Sequence, residues 1–302
     1  IVDIESLINF RLFNTGRNKY ITLGVDGWLY YNPPGDGYNV TDYVRNNLFS
    51  AEEVEQIRRN IASIRENFYK RKIPIIIVTA PNKNTIYPEY LPFRLSFRRN
   101  GPSRVDQIES IAREEHVEFV NFRDTILSSK KKYTCHLYDM TDTHWNDIGA
   151  YIGYTQLHAA LRKHVNISDK LDIKKYNIVY TTTTGKGDLA AITGLSGCLR
   201  DELVELKPKT PLGARRIPNS DPNDRVHDIF ENHEAGNIKA VIIRDSFTTS
   251  MIPFISEHFK RSVYLRQQYI DMSVVDREKP DIVVYEFVER YSSNFLMPDL
   301  VR

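Results

Sequence analysis

Ile73-Pro74-Ile75-Ile76-Ile77-Val78 is the stretch of sequence that decides the fold. A continuous apolar run of this kind is typical of a strand covered on both faces, as in a parallel sheet. The segment before it, 50–70, carries apolar residues at alternating gaps of three and four, which predicts an amphipathic helix. Ser50 and Glu53 at the start of that segment fit a capping box. A helix followed by a fully buried strand predicts an α/β protein.

The same alternation continues along the chain. Three further apolar runs predict strands and three further segments predict helices, at 117–120, 240–243 and 281–285 for the strands and 105–111, 146–164 and 248–259 for the helices. This order predicts a doubly wound α/β/α sheet, in which ligands sit outside the carboxyl ends of the strands.

Two segments depart from the alternation. Residues 1–49 are rich in Gly, Asn and Tyr and predict loops and short strands, although Trp28 and Tyr30 are expected in the core. Residues 200–237 are polar and contain several prolines, which predicts an irregular excursion or flap outside the core. We therefore expect one domain over 1–302, with a loop-rich start and one insertion.

Composition narrows the class of protein. The chain has 302 residues, of which 41% are hydrophobic and 26% charged, as in an ordinary soluble globular protein. Its 41 basic and 39 acidic residues give a net charge of +2. Nucleic-acid-binding domains usually carry a clear basic excess, so no nucleic-acid partner is expected. The two cysteines, Cys135 and Cys198, are compatible with one disulfide or with two free thiols.

Two segments about a hundred residues apart carry the candidate chemistry: Thr141-Asp142-Thr143-His144-Trp145 and Arg244-Asp245-Ser246-Phe247. The first places a carboxylate two residues from an imidazole, and the second puts a serine where a buried strand should turn. A serine hydroxyl is a weak nucleophile that needs a base in hydrogen-bond reach, and the base needs an orienting group. Ser246, His144 and Asp142 are therefore the predicted nucleophile, base and orienter.

Each of these residues also has a structural interpretation. Ser246 could cap the helix that follows it. Asp142 could form a turn, with His144 packed beside Trp145. A metal is a rival use of Asp142 and His144. However, His136 is the one other histidine nearby, and no pair has the i,i+4 spacing of a metal-binding helix with a glutamate between. The sequence therefore predicts no metal site.

Six short motifs follow one another along the chain. They are Gly24-Val25-Asp26-Gly27-Trp28-Leu29-Tyr30, Pro81-Asn82-Lys83 with Ile86-Tyr87-Pro88 and Leu91-Pro92, Asp142-Thr143-His144-Trp145, Gly187-Asp188-Leu189 with Gly194-Leu195, Arg244-Asp245-Ser246-Phe247, and Pro280-Asp281-Ile282-Val283-Val284 leading to Glu289-Arg290-Tyr291. In this order they resemble the SGNH-hydrolase-like polysaccharide O-acetyltransferases of the AlgJ/AlgX type. The resemblance covers most of the chain.

The resemblance implies a flavodoxin-like (SGNH-like) α/β/α domain, permuted so that the Asp-His pair precedes the serine. It implies acetyl transfer to hydroxyls of an exported polysaccharide through Ser246, His144 and Asp142, and no cofactor is expected. It implies work outside the cytoplasmic membrane, with an N-terminal anchor left open, beside a membrane-bound acyltransferase that supplies acetyl groups. No C-terminal carbohydrate-binding module is expected.

Four further residues are candidates for the oxyanion or substrate site. Asn82 and Lys83 follow a predicted strand, where Asn also serves turns. Arg244 either contacts substrate or pairs with Asp245 or Glu289. Trp145 either stacks on a sugar ring or only wedges the loop.

Two other functions remain open. An esterase that removes acetyl groups from glycans would use the same triad, with water as the acceptor. A non-catalytic glycan-binding or assembly protein would keep the fold with the three side chains dispersed.

Overall fold

The structure, a computed structural model, describes residues 20–33, 40–45, 47–97, 101–184, 186–193, 199–218 and 227–302. The strands are β1 Ile21–Leu23, β2 Leu29–Tyr31, β3 Ile75–Ala80, β4 Glu118–Asn121, β5 Tyr176–Thr184, β6 Arg200–Pro208, β7 Arg215–Ile217, β8 His227–Glu231, β9 Lys239–Arg244, β10 Arg261–Arg266 and β11 Ile282–Val288.

The helices alternate with the central strands. The α-helices are α1 Val40–Arg45, α2 Ala51–Arg71, α3 Lys83–Ile86, α4 Phe93–Ser96, α5 Arg104–Glu114, α6 Arg123–Ser129, α7 Asp147–Leu161, α8 Asp188–Thr193, α9 Ile252–Ile255 and α10 Met272–Glu278. The 3-10 helices are Pro88–Tyr90, Ile173–Lys175, Phe247–Met251, Ser256–His258 and Glu289–Leu296. Among the described residues, no helix combines the length and the apolar character needed to cross a membrane.

A seven-stranded sheet with the order β4-β3-β11-β9-β10-β8-β7 forms the centre of the molecule. The strands from β4 to β10 are parallel, and β8 and β7 extend the β10 edge in antiparallel pairing. Counted from β9 as the first strand, the five parallel strands read 2-1-3-4-5 from β10 to β4. This is the flavodoxin-like order. The chain is a circular permutation of it, because β3 and β4 come first in sequence and last in that count.

Helices cover both faces of this sheet. In β3, Ile76 and Val78 join one apolar cluster, which includes the buried side of α7. Ile75 and Ile77 point to the other face and join a cluster with the apolar sides of α2 and α5. The predicted doubly wound α/β/α architecture is confirmed. Ser50 and Glu53 form the predicted capping box, and Trp28 and Tyr30 are both buried.

The segment 200–237 is more regular than the sequence predicted. Its described part forms β6, which pairs with β5 in a two-stranded ribbon, and β7 and β8, which join the central sheet. The prediction of an irregular excursion outside the core is wrong for these residues. The physical reason is that ribbon and edge strands bury one face only, so they alternate polar and apolar residues instead of showing an apolar run.

The predicted helix over 248–259 is also different in the structure. The segment is a 3-10 turn at Phe247–Met251, the short helix α9 and another 3-10 turn. Pro253 explains the break, because it has no N–H to donate to the carbonyl of Thr249 in a continuous α-helix. Gly194-Leu195 and Cys198 lie outside the described residues, so the disulfide alternative stays a prediction.

The buried position of β3 supports a stability prediction. Replacing Ile77, which has no exposed surface, by alanine removes contacts on a face covered by α2 and α5. We expect Ile77→Ala to lower the free energy of unfolding by about 2–5 kcal/mol. Tyr69→Ala is the control, because that side chain is 82% exposed and its loss should cost no more than about 0.5 kcal/mol. Urea unfolding of both variants checks this, and equal losses would contradict it.

Candidate active site

The carboxyl ends of the parallel strands bring the motifs to one edge of the sheet. β9 leads into the Ser246 turn (residues 244–247), and β3 leads into Pro81-Asn82-Lys83. β9 lies between β10 and β11, which is where the flavodoxin-like order reverses direction. Ligands in open α/β sheets bind outside the strand ends at this reversal. The segment that carries Asp142 and His144 lies at the same edge, where His144 contacts Ser246.

Ser246, His144 and Asp142 form a continuous hydrogen-bonded chain. His144 Nε2 lies 2.7 Å from Ser246 Oγ, and His144 Nδ1 lies 2.6 Å from Asp142 Oδ1. When the Nδ1–H group donates a hydrogen bond to the carboxylate, Nε2 is the ring nitrogen that can accept the serine proton. The Ser246 side chain makes no capping hydrogen bond to the turn that follows, so the helix-cap interpretation does not describe it.

The Asp142 carboxylate is held in its ionised form. Burial alone would raise its pKa, but the hydrogen bond and charge of His144 outweigh burial, with help from backbone amides. The amides are those of Asp188 and His144, which lie 2.9 and 3.0 Å from the two carboxylate oxygens. Together these contacts lower the pKa of Asp142 to about 2. The carboxylate can therefore orient the imidazole at any pH above about 4.

Lys83 fixes the loop that carries Asp142. Its ammonium group is buried and lies 3.0, 2.9 and 2.5 Å from the carbonyl oxygens of Asp139, Met140 and Asp142, to which it donates. Burial lowers the pKa of Lys83 to about 8, against the opposing effect of Asp142. The sequence suggested Lys83 as an oxyanion or substrate residue. In the structure, the ammonium group of Lys83 instead donates its hydrogen bonds to backbone carbonyls of the 139–144 loop.

Asp201 holds the same loop from the opposite side. This carboxylate on β6 is buried and accepts from the backbone N–H groups of Met140 and Thr141 at 3.1 and 2.7 Å. It also accepts the Thr141 hydroxyl at 2.6 Å. The sequence analysis missed Asp201, because it lies in the segment predicted to be a flap and belongs to no recognised motif.

Asp188 was present in a motif, but its role was not recognised. It begins α8, and its carboxylate accepts the N–H and hydroxyl of Thr143 at 2.8 and 2.6 Å. The hydroxyl of Thr143 is also 3.2 Å from His144 Nδ1. Gly187 permits this close approach, since a Cβ at that position would overlap the carbonyl of Thr141. The Gly187-Asp188 pair was the sequence signal that could have revealed it.

Acidic side chains also fix the Ser246 turn. Asp245 accepts the N–H groups of Phe247 and Val288 at 2.7 and 2.6 Å, which ties the turn to β11. Glu286 on β11 accepts the N–H of Asp245 at 3.1 Å and the hydroxyl of Thr248 at 2.7 Å. Burial, followed by the charge of Asp245, raises the pKa of Glu286 well above its usual value. Burial thus favours the protonated form of Glu286.

Arg244 has a structural partner that the sequence analysis did not name. Its guanidinium is buried and donates to Asp228 on β8 at 2.8 Å and to the hydroxyl of Thr249 at 2.9 Å. The expected carboxylate partners were Asp245 and Glu289, so the choice of partner was wrong. The arginine binds the carbonyl of Asp245 instead of its carboxylate.

Trp145 and Asn82 also lie inside the protein. Trp145 is 2% exposed and donates its indole N–H to the carbonyl of Phe247 at 3.0 Å, which joins the two motif segments. This contact supports the loop-wedge interpretation over sugar stacking. The backbone N–H of Asn82 donates to Glu289 at 2.9 Å, and Asn82 borders a small cavity beside the 139–144 loop.

Among the described residues, Asp142, His144 and Asp188 have ligand atoms close enough together to hold a metal ion. Their present contacts fit hydrogen bonding better. Asp142 and His144 are hydrogen-bonded at 2.6 Å, and Asp188 accepts a hydrogen bond from the hydroxyl of Thr143. These short contacts leave no space for a cation between the imidazole and its carboxylate, because metal–ligand bonds of about 2 Å to both would push them further apart.

Comparison with known proteins identifies the family. The family model described as "SGNH hydrolase-like domain, acetyltransferase AlgX" matches residues 21–268. This chain belongs to that family. The AlgJ/AlgX-type resemblance is thereby confirmed, as is the expectation of an acyltransferase enzyme.

Individual relatives of this AlgX-family chain share a small fraction of identical residues with it. It is 22% identical to the probable alginate O-acetylase AlgJ of Pseudomonas aeruginosa, over 96% of this chain and 74% of that protein. Bacillus cereus PatB1, solved with a sulfonyl adduct, has a TM-score of 0.66 at 15% identity, covering 91% of this chain and 98% of its own. The O-acetyltransferase domain of Pseudomonas putida AlgJ has a TM-score of 0.58 at 17% identity, with 90% and 91% covered. These structures share the fold.

The Gly187 contact gives a prediction about activity. Gly187→Ala forces a Cβ against the carbonyl of Thr141 and should push the Asp188 amide away from Asp142. We expect the rate of ester turnover to fall about 10–100-fold, as for other displacements of about 1 Å near a site. Gly236→Ala is the matched control, because nothing lies within 4 Å of a Cβ built there. Steady-state kinetics check this, and equal rates in both variants would contradict it.

The low pKa of Asp142 gives a prediction about stability. Because its pKa falls to about 2 in the folded chain, the ionised carboxylate contributes stability that is fully present above about pH 4. This contribution is lost as the pH falls toward 2. We expect the stability gap between wild type and Asp142→Asn to shrink from pH 5 to pH 2.5 in urea unfolding. The exposed Asp299→Asn should show a much smaller change, and a gap for Asp142→Asn that does not vary with pH would contradict the prediction.

Proposed function

We propose that this protein transfers an acetyl group to a polysaccharide hydroxyl through an acetyl-serine on Ser246. The observation that carries the proposal is the pair of contacts at 2.7 and 2.6 Å that links Ser246, His144 and Asp142. A serine hydroxyl in contact with an imidazole that a carboxylate orients is the arrangement that nucleophilic acyl transfer requires.

The proposed reaction has two halves. In the first, Ser246 Oγ attacks the acetyl carbonyl while His144 Nε2 takes the serine proton, and the leaving group then departs with that proton. In the second, a sugar hydroxyl gives its proton to His144 and attacks the acetyl-serine. The ester moves to the sugar, and Ser246 regains a proton from His144. Asp142 stays ionised throughout and stabilises the transient imidazolium.

An esterase would follow the same first half, with water in place of the sugar hydroxyl. Membership of an acetyltransferase family favours the transferase. The non-catalytic alternative expects dispersed side chains, and the contacts among Ser246, His144 and Asp142 argue against it.

The relatives support a proposal for the acceptor and for the cellular location of the protein. Because a probable alginate O-acetylase is among them, we propose an exported polysaccharide as the acceptor. The site of action would then lie outside the cytoplasmic membrane, with or without an N-terminal anchor. A membrane-bound acyltransferase is the proposed source of acetyl groups.

Mass spectrometry after brief exposure to 4-nitrophenyl acetate tests the nucleophile. We expect one acetyl adduct on the wild type and none on Ser246→Ala, because only the triad activates a serine. Ser110→Ala is the control, since Ser110 is exposed on α5 away from the sheet edge, and it should be labelled like the wild type. An adduct that persists in Ser246→Ala would refute the assignment. Adding an oligosaccharide then separates the two enzymes, because a transferase raises the mass of the oligosaccharide by one acetyl group.

A further inference from the structure

Arg290 is a buried cation that pairs with no carboxylate among the described residues. It follows β11 and is only 8% exposed. Its guanidinium lies 5.3, 5.1 and 5.7 Å from the ring centres of Phe247, Tyr291 and Tyr31. Within the part of the chain that the structure describes, it makes neither a hydrogen bond nor an ion pair, and its Nε is buried without an acceptor.

This isolation is physically unusual. A charge removed from water destabilises the folded protein unless an opposite charge or several hydrogen bonds compensate it. The other two buried cations near the sheet edge obey this rule: Arg244 pairs with Asp228, and Lys83 donates to three carbonyl oxygens. For Arg290 the aromatic rings supply part of the compensation. Among the described residues, none accepts a hydrogen bond from its guanidinium, which carries five N–H donors.

The guanidinium borders a small cavity beside the triad. Thr143, Asn82 and Lys83 also line this cavity, which offers about 10 Å³ to the centre of a water-sized group, or room for one oxygen atom. Thr143 connects it to the triad, because its hydroxyl lies 3.2 Å from His144 Nδ1. The ring of Phe247 lies 4.9 Å from the ring of His144 and 5.3 Å from the guanidinium, so both groups neighbour the same aromatic side chain.

The position in the fold agrees with a ligand site. Ser246 follows β9 and Arg290 follows β11, and these neighbouring strands flank the point where the strand order reverses. A substrate placed across this point for attack by Ser246 would therefore meet the donors of Arg290 from the adjacent strand end.

We propose that Arg290 binds a negatively charged oxygen of the substrate during acetyl transfer. This inference rests on the proposed function. Two sources carry that chemistry: the oxyanion that forms on the acetyl carbonyl when Ser246 attacks, and a carboxylate on an acidic sugar of the acceptor. The room for one oxygen favours the oxyanion. Guanidinium donors fixed in a site with little water stabilise such a charge strongly.

The experiment compares wild type, Arg290→Met and Arg290→Lys in the full chain. The probe for the first source is 4-nitrophenyl acetate, which has no carboxylate, and the readout is the rate of acetyl-Ser246 formation. If Arg290 binds the oxyanion, Arg290→Met should form the adduct about 10²–10³-fold more slowly. Arg290→Lys should retain part of the rate, because it keeps the charge but not the planar donor set.

The second source is tested with acceptors. If Arg290 binds a sugar carboxylate, Ser246 should be acetylated at the wild-type rate in every variant. Transfer to a carboxylate-bearing oligosaccharide should then fall at least tenfold in Arg290→Met, while transfer to a neutral oligosaccharide stays unchanged. Arg113→Met, which removes an arginine from the exposed surface of α5, is the matched control and should behave as wild type in both assays.

Thermal unfolding separates a ligand-binding arginine from a structural one. Removing an uncompensated buried charge should leave the Tm of Arg290→Met unchanged or raise it. A lowered Tm with activity lost in proportion to unfolded protein would overturn the proposal, as would wild-type rates in both assays. If the wild type itself forms no adduct, the proposed function fails and this inference with it. If the wild type reacts and the Arg290 variants match it, only this inference fails.

Discussion

The buried Lys83 ammonium, with its donors on three backbone carbonyls, is the constraint on which the rest of the site depends. A loop without regular structure cannot satisfy its own backbone groups, so the 139–144 loop relies on side chains from other elements. Lys83 takes its carbonyl oxygens, while Asp201 and Asp188 take its N–H groups. A cationic donor and two carboxylate acceptors thus fix the backbone of the 139–144 loop. Because the backbone is fixed, Asp142 and His144 hold their geometry without help from substrate.

The Ser246 turn is held by a different principle. Here the side chains of Glu286 and Asp245 accept hydrogen bonds from backbone amides around the serine, and Arg244 pairs with Asp228 on β8. Asp245, Glu286 and Arg244 thus each have protein partners. Among the described residues, the serine hydroxyl has its hydrogen bond with the imidazole, which is the condition for a reactive nucleophile. Arg290 is the exception among these charges, and it lines the small cavity that Thr143 of the 139–144 loop also borders.

Much of this organisation could be predicted from the sequence, and the physical reason is clear for each part. β3, β9 and β11 are buried on both faces, so their continuous apolar runs revealed them. The triad residues could be proposed because their side-chain chemistry is specific and each lies in a short stretch of sequence that can be read locally. β6, β7 and β8 could not, since strands at edges and ribbons carry polar residues. Asp201 and Asp228 lie on these strands and act only through tertiary contacts. No local pattern distinguishes them from solvated acids.

The place of β11 has a consequence for how the protein is made. Among the described strands it comes last along the chain, yet it lies between β3 and β9 in the sheet and pairs with both. During synthesis the ribosome releases β3, β4, β9 and β10 before it. Without β11, β3 and β4 have no pairing with β9 and β10, so the other four parallel strands form two groups. β11 joins the two groups, so the strand end that leads to Lys83 and the strand end that leads to Ser246 enter one sheet only when β11 pairs with both. The permuted order therefore makes the assembly of the site depend on the strand that is synthesised after the other four.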